Sequence, residues 1–234
     1  MRPLLFLGLL AVVATLTPAC SAQEDEPGAG PPPPPPSALP LSVAWYGDSV
    51  ADAVCDGLQP PAALAELLGP SWFVADRTVS GESPPHIRIR YEDASGSECQ
   101  AQQCQWYLMQ GGVNSLKGDP YVTPQEALAD MIALVDDARA RNRQVVWFEI
   151  LPFKGCAHCR EDTAPGVARA REYNALMAQA CAERPEVTCL QLYSEFEDPA
   201  DPDFLKPEYT CDGIHLNQAG TQRLIAEVRK ILLR

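Results

Sequence analysis

LSVAWYGDSV, residues 41–50, is the stretch that decides the fold. Its first six residues are rich in apolar and aromatic side chains and predict a buried strand, and Gly-Asp-Ser then breaks the run. Similar strand-like runs occupy residues 72–79, 105–110, 144–151 and 187–193, and helical patterns occupy residues 61–68, 124–141, 165–183 and 217–233. This alternation predicts a parallel sheet with helices on both faces. Thr123, directly before Pro124, is the expected cap of the second helix.

The residues that could carry chemistry follow the ends of these strands. Ser49 follows the first strand, Gly81 the second and Asn114 the third, while Asp212 and His215 lie just before the last helix. In open parallel sheets, ligands bind at the carboxyl ends of the strands. The sequence therefore predicts a site at this edge.

The three histidines offer only one convincing base. His86 lies in a Pro-rich segment that reads as a loop, and His158 lies between two cysteines. His215 has Asp212 three residues before it and a predicted helix after it. A serine hydroxyl needs a base to take its proton, and a carboxylate commonly orients that base. Ser49, His215 and Asp212 together predict nucleophilic catalysis.

Each of these residues also has a simpler interpretation. Ser49 could cap a following helix, Gly81 could belong to an ordinary strand-end turn, and Asn114 is a common turn former. Asp212-Gly213 is a turn dipeptide. Their occurrence together, in order and at strand ends, favours the catalytic interpretation.

Four blocks of the chain resemble the SGNH hydrolases, the GDSL-type lipase and esterase superfamily. They are Gly47-Asp48-Ser49-Val50, Gly81, Gly112-Val113-Asn114 and Asp212-Gly213-Ile214-His215. The resemblance covers residues 41–234. It implies a three-layer α/β/α sandwich with about five parallel strands in a flavodoxin-like arrangement, and a serine esterase without metal or organic cofactor.

The resemblance also implies a role for each block. Ser49 would be the nucleophile, His215 the base and Asp212 the residue that orients it. The backbone N–H groups of Ser49 and Gly81, with the side-chain amide of Asn114, would form the oxyanion hole. The third block departs from the usual Gly-x-Asn-Asp because Ser115 occupies its last place, which affects local support more than the mechanism.

The N-terminus predicts export. Residues 1–19 combine a basic start with a short apolar run and resemble a bacterial lipoprotein signal in which Cys20 becomes the lipidated first residue. Thr17 stands where that signal prefers leucine, so ordinary secretion is the alternative. Residues 20–40 are acidic and Pro-rich and predict an extended tether. The hydrolase domain would then span residues 41–234.

Nine cysteines also favour an oxidising compartment. Without Cys20 their number is even, and short separations suggest three disulfides, which leaves Cys55 to pair with Cys211. The suggested short pairs are Cys99–Cys104, Cys156–Cys159 and Cys181–Cys189. Sequence alone does not fix the pairing. A redox pair or half of a metal site are the alternatives for Cys156 and Cys159.

The net charge of −13 argues against a nucleic-acid partner. We expect a monomer that acts on a small-molecule or glycan-borne ester, with short acyl groups favoured because no long amphipathic helix reads as a lid. The segments Pro84–Cys104 and Phe153–Pro165 are the expected pocket walls. Acyl transfer to an acceptor other than water stays open. The alternatives to an esterase are a non-catalytic envelope module that binds glycan or protein and a thiol–disulfide protein.

Overall fold

The fold is described from a computed structural model, which covers residues 41–52, 54–55, 58–92, 104–117, 122–157, 159 and 163–234. The predicted signal peptide of residues 1–19, the lipidation site Cys20 and the tether of residues 20–40 lie outside these residues. Parts of both expected pocket walls, His158 and Cys99 also lie outside them.

Five parallel strands form one sheet, which confirms the predicted fold class. The strands are β1 (Leu41–Gly47), β2 (Trp72–Thr78), β3 (Trp106–Met109), β4 (Gln144–Phe148) and β5 (Thr188–Leu190). Their order is β2-β1-β3-β4-β5, the flavodoxin-like arrangement. The last two strands are shorter than predicted, because the chain after β4 turns away and residues 193–196 begin a helix.

Seven α-helices occur in the described part of the chain. They are α1 (Pro60–Leu68), α2 (Pro84–Glu92), α3 (Val113–Lys117), α4 (Pro124–Ala140), α5 (Ala164–Ala182), α6 (Tyr193–Phe196) and α7 (Gln218–Leu232). The four predicted helices correspond to α1, α4, α5 and α7. The Thr123 side chain caps α4 and forms a reciprocal capping box with Glu126. None of the helices in the described ranges is both long and apolar enough to cross a membrane.

Helix α2 corrects the prediction that His86 lies in a loop. Pro84 and Pro85 occupy the first turn, where a backbone N–H has no partner inside the helix, so proline is tolerated there. The carbonyl of Ser83 accepts the N–H groups of His86 and Ile87, which starts the helix. The prolines that read as loop signals are therefore helix-start signals.

The core lies on both faces of the sheet. Val43, Trp45 and Tyr46 of β1 are fully buried, and the Trp45 ring stacks on Phe148 of β4 with centroids 5.5 Å apart. Helices α1 and α7 pack together, whereas α4 packs against α2 and α5. Along the sheet, the chain runs from β1 to β2 in one direction and from β2 through β3 and β4 to β5 in the other. Because crossovers between parallel strands are right-handed, this reversal places the two helix groups on opposite faces. The result is the predicted three-layer sandwich, in which β1 lies between β2 and β3.

Three of the predicted disulfides are present: Cys55–Cys211, Cys156–Cys159 and Cys181–Cys189. Cys104 is also disulfide-bonded, but its expected partner Cys99 lies outside the described residues. The Cys55–Cys211 bridge spans 156 residues and joins the segment after Ser49 to the residue before Asp212. Such a long-range crosslink restricts the unfolded chain strongly.

Candidate active site

Ser49 lies at the carboxyl end of β1, as the sequence predicts. It begins a single turn of 3₁₀ helix, Ser49–Ala51, directly after β1. The cap of this turn is Asp48, whose Oδ1 accepts the Val50 N–H at 3.0 Å. The alternative that Ser49 itself caps a helix is therefore wrong, and its hydroxyl is left for another partner.

That partner is His215. The Ser49 Oγ lies 2.9 Å from His215 Nε2, and His215 Nδ1 lies 2.6 Å from Asp212 Oδ2. Ser49 is only 4% exposed. In this hydrogen-bonded series, the imidazole can take the proton of the hydroxyl, and the carboxylate stabilises the positive charge that the ring then carries. The structure thus brings Ser49 together with Asp212 and His215, which follow it by 163 and 166 positions in the sequence.

The surroundings of Asp212 keep it ionised. Burial alone would raise its pKa, but Asp212 accepts hydrogen bonds from the backbone N–H of His215, from its ring and from the N–H of Ile214, and together these hold the pKa below its usual value. The two backbone bonds measure 2.8 and 3.1 Å and both end on Oδ1. Oδ2 is therefore left to face the His215 ring.

The loop that carries Asp212 and His215 is fixed from several sides. The Thr210 hydroxyl donates to the His215 carbonyl and accepts the Gly213 N–H, both at 2.8 Å. The N–H of Ala157, which lies between the two cysteines of the Cys156–Cys159 disulfide, donates to the Asp212 carbonyl at 2.8 Å. This contact gives that disulfide a structural role next to the site.

Gly213 allows this loop to pack closely. Its φ is +84°, and a Cβ added there would lie 2.1 Å from the carbonyl oxygen of Gly155. Gly155 in turn packs against the Phe204 ring. The turn between Asp212 and His215 therefore needs glycine both for its backbone conformation and for space.

We expect Gly213→Ala to inactivate the enzyme by displacing Asp212 and His215. A misplacement of about 1 Å typically costs about 100-fold in rate. The matched control is Gly69→Ala, because Gly69 has a φ of +83° but nothing within 4 Å of an added Cβ. The control should lose about 1–3 kcal/mol of unfolding free energy from backbone strain and keep its activity. Equal losses of kcat in the two folded variants would contradict the role of the Gly213–Gly155 contact.

Three candidate hydrogen-bond donors follow the carboxyl ends of β1, β2 and β3. Within the described chain, the N–H groups of Ser49 and Gly81 donate no hydrogen bond. Asn114, on α3, donates one amide hydrogen to the Glu82 carbonyl at 2.9 Å, which leaves its second hydrogen available. Gly81 has a φ of +82°, a conformation that favours glycine. These are the three groups that the sequence predicts for oxyanion binding.

Asp48 and Gln110 form a buried pair that sequence reasoning missed. Gln110 Nε2 donates to Asp48 Oδ1 at 2.8 Å, and its Oε1 accepts the Asp48 N–H at 3.1 Å. Burial raises the pKa of Asp48, although the hydrogen bonds from Val50 and Gln110 oppose this. Gln110 ends a predicted strand, and nothing in its sequence context indicates that it contacts a residue 62 positions away.

We expect Asp48→Asn to stabilise the protein relative to the wild type increasingly as the pH rises. Because the folded-state pKa of Asp48 lies above its ordinary value, ionisation costs more in the folded protein than in the unfolded chain. The penalty develops between these two pKa values and is constant above them. Asparagine keeps the acceptor for Val50 and Gln110 and removes the charge. Urea unfolding from pH 4 to 8 measures the difference, and a gain that shrinks with pH would refute this assignment.

One group of possible metal ligands occurs among the described residues: Cys55, Cys211 and Asp212. Both sulfur atoms belong to the Cys55–Cys211 disulfide, and the Asp212 oxygens accept the hydrogen bonds described above. Metal ligation by cysteine requires the thiolate. This group is therefore a disulfide next to the Asp212–His215 pair, and its sulfur atoms are not available as thiolate ligands. The His86 ring lies apart from this group, and its Nδ1 is 3.0 Å from the exposed Ser83 hydroxyl.

Comparison with protein families identifies the family of the chain. The profile of the GDSL-like Lipase/Acylhydrolase family matches residues 45–223, a range that contains Ser49, Gly81, Asn114, Asp212 and His215. The chain belongs to this family and is a serine ester hydrolase. No curated protein matches the chain at a significant level.

Solved structures of the same fold have little sequence identity to this chain. A GDSL-like lipase from Bacteroides thetaiotaomicron is 16% identical, with a TM-score of 0.68 over 84% of this chain and 91% of that one. A lipase/acylhydrolase from Enterococcus faecalis is 17% identical, with a TM-score of 0.62 over 82% and 95%. An acetylxylan esterase from Geobacillus stearothermophilus is 16% identical, with a TM-score of 0.63 over 82% and 94%.

Proposed function

We propose that this protein is an exported esterase that removes short acyl groups, acetyl above all, through an acyl-Ser49 intermediate. The observation that carries the proposal is the continuous chain from Ser49 Oγ to His215 Nε2 and from His215 Nδ1 to Asp212, at 2.9 and 2.6 Å. Both distances are those of hydrogen bonds, so the proton path exists before substrate binds.

The reaction proceeds in two halves. Ser49 Oγ bonds to the ester carbonyl carbon while its proton passes to His215 Nε2, and the three donors hold the oxyanion. His215 then gives this proton to the leaving alcohol, whose C–O bond breaks, and acyl-Ser49 remains. Water attacks the acyl carbon, His215 takes a proton from that water and returns it to Ser49, and the carboxylic acid leaves. No redox step or metal is needed.

A short acyl group is proposed from the similarity in fold. One protein of the same fold is an acetylxylan esterase, which makes a glycan-borne acetyl ester a reasonable substrate class.

Export and anchoring are proposed from the N-terminus and the cysteines. The disulfides suit an oxidising compartment. Lipidation at Cys20 would place the domain on a membrane surface with residues 21–40 as a spacer. Expression of the full chain and of Cys20→Ser in a bacterium, followed by fractionation and mass spectrometry of the N-terminus, tests the anchor. A wild-type protein without lipid in the soluble fraction would favour plain secretion.

The activity is tested with p-nitrophenyl acetate, butyrate and octanoate and with acetylated xylan oligosaccharides. The oxidised, folded protein should hydrolyse acetate fastest, and kcat/KM should fall with each longer chain. A preference for octanoate would contradict the short-acyl proposal without contradicting esterase chemistry. A folded protein that hydrolyses no ester and resists a fluorophosphonate probe would instead point to the glycan- or protein-binding module.

A further inference from the structure

We propose that Arg90 is a positioning residue that holds the oxyanion-binding donors in place. Arg90 lies on α2, and its side chain is only 25% exposed. Its guanidinium contacts the chain at three places: the carboxylate of Glu82, the carbonyl of Gly47 and the carbonyl of Arg77. The inference rests on the proposed function, because it assigns Arg90 a part in that reaction.

The first contact fixes Gly81. Arg90 Nε donates to Glu82 Oε2 at 2.6 Å, and Nη2 forms an ion pair with the same carboxylate. Glu82 directly follows Gly81, whose φ is +82°, and the Glu82 N–H donates to the Val79 carbonyl at 3.3 Å. A charge-assisted, partly buried pair one residue away restricts this backbone more than a neutral contact would.

The same residue fixes Asn114. The backbone carbonyl of Glu82 accepts the Asn114 amide hydrogen at 2.9 Å. Because Arg90 holds the Glu82 side chain, it also restricts the carbonyl that orients the Asn114 amide. Two of the three donors therefore depend on the position of one residue, Glu82, and Glu82 depends on Arg90.

The other two contacts reach the ends of the strands. Arg90 Nη2 donates to the Gly47 carbonyl at 3.3 Å, and Nη1 donates to the Arg77 carbonyl. Gly47 ends β1 two residues before Ser49, and its carbonyl also accepts the Val79 N–H at 3.0 Å. One guanidinium thus contacts the segments that carry Gly81 and Ser49, and it reaches Asn114 through the Glu82 carbonyl. Arginine can do this because it presents five N–H groups in a rigid fork, which lysine lacks.

Arg88 supplies a matched control on the same helix. It forms ion pairs with Glu92 and Asp130, and its side chain is 45% exposed. Both arginines are therefore paired with carboxylates, but only Arg90 contacts the loop of Gly81 and the end of β1. Arg90→Lys and Arg88→Lys make the same chemical change two residues apart.

We expect Arg90→Lys to lower kcat roughly 10- to 100-fold, less than the 10²–10³-fold typical for loss of a donor itself. KM should change less than about threefold, because ground-state binding does not use the oxyanion contacts fully. A boronic acid inhibitor, which forms a tetrahedral adduct with the serine, should bind more weakly by a similar factor. Arg88→Lys should leave all three quantities within about twofold of the wild type.

Hydrogen–deuterium exchange provides a readout that does not need ester turnover. Exchange of the backbone amides of residues 79–83 should become faster in Arg90→Lys and not in Arg88→Lys. Unchanged exchange, or unchanged kcat and boronate affinity in a folded Arg90→Lys protein, would overturn the proposal. Absence of ester hydrolysis in the wild type would overturn the proposed function instead, and the exchange comparison would then decide whether Arg90 orders this loop.

Discussion

Ser49→Ala should lower kcat for p-nitrophenyl acetate by about 10⁴- to 10⁶-fold and remove fluorophosphonate labelling. The hydroxyl lies 2.9 Å from His215 Nε2, the base that would take its proton. Alanine removes one oxygen, whose hydrogen-bond partner in the structure is the His215 ring, so the fold should be retained and Tm should change by only a few degrees.

Ser83→Ala is the matched control for this substitution. Ser83 also has its hydroxyl 3.0 Å from a histidine nitrogen, that of His86, but the pair is exposed. Labelling and kcat should therefore be unchanged in Ser83→Ala. If Ser83→Ala lost activity while Ser49→Ala kept it, the assignment of the nucleophile would be wrong.

Asp212→Asn should lower kcat by about 10⁴-fold with little change in KM. The asparagine oxygen can still accept the N–H groups of Ile214 and His215, so its amide nitrogen would face His215 Nδ1. An N–H there makes Nδ1 an acceptor and puts the ring proton on Nε2. In that tautomer the ring cannot accept the proton of Ser49.

A double variant tests whether Asp212 acts through His215. The combination of Asp212→Asn and His215→Ala should be no slower than His215→Ala alone, because the carboxylate has nothing left to orient. A further tenfold loss in the double variant, in protein whose unfolding is still cooperative, would show that Asp212 has a separate role. The steady-state rates of the three variants, corrected for any Ser49-independent hydrolysis, decide between these results.

The elements that the sequence predicts well are those with strong local signals. The strand at residues 41–46 and the capped helix after Thr123 were predicted closely, because apolar runs and capping residues act within one or two turns of chain. Helix α2 was missed because two prolines, which usually indicate a loop, occupy its first turn. The short helices α3 and α6 have too few residues to show a period.

The residues of the site also divide into those with a local sequence signal and those without one. Ser49, Asp212, His215, Gly81 and Asn114 could be named from the sequence because each belongs to a short block with a recognisable resemblance. Their supporting residues could not. Gln110, at the end of β3, donates a hydrogen bond to Asp48. The Thr210 hydroxyl bonds to the backbone of its own loop, and the Ala157 N–H donates to Asp212 from a different loop. Such contacts follow from how distant segments pack.

The sequence by itself determined the alternation of strands and helices, the identity of the reactive residues and their place at strand ends, because these depend on local patterning. Only the tertiary structure decided that Ser49, His215 and Asp212 form one hydrogen-bonded chain. It also decided that Gly213 packs against Gly155, and that Arg90 contacts both the loop of Gly81 and the end of β1. Distances of this kind depend on contacts between residues far apart in the chain, and no local pattern encodes them.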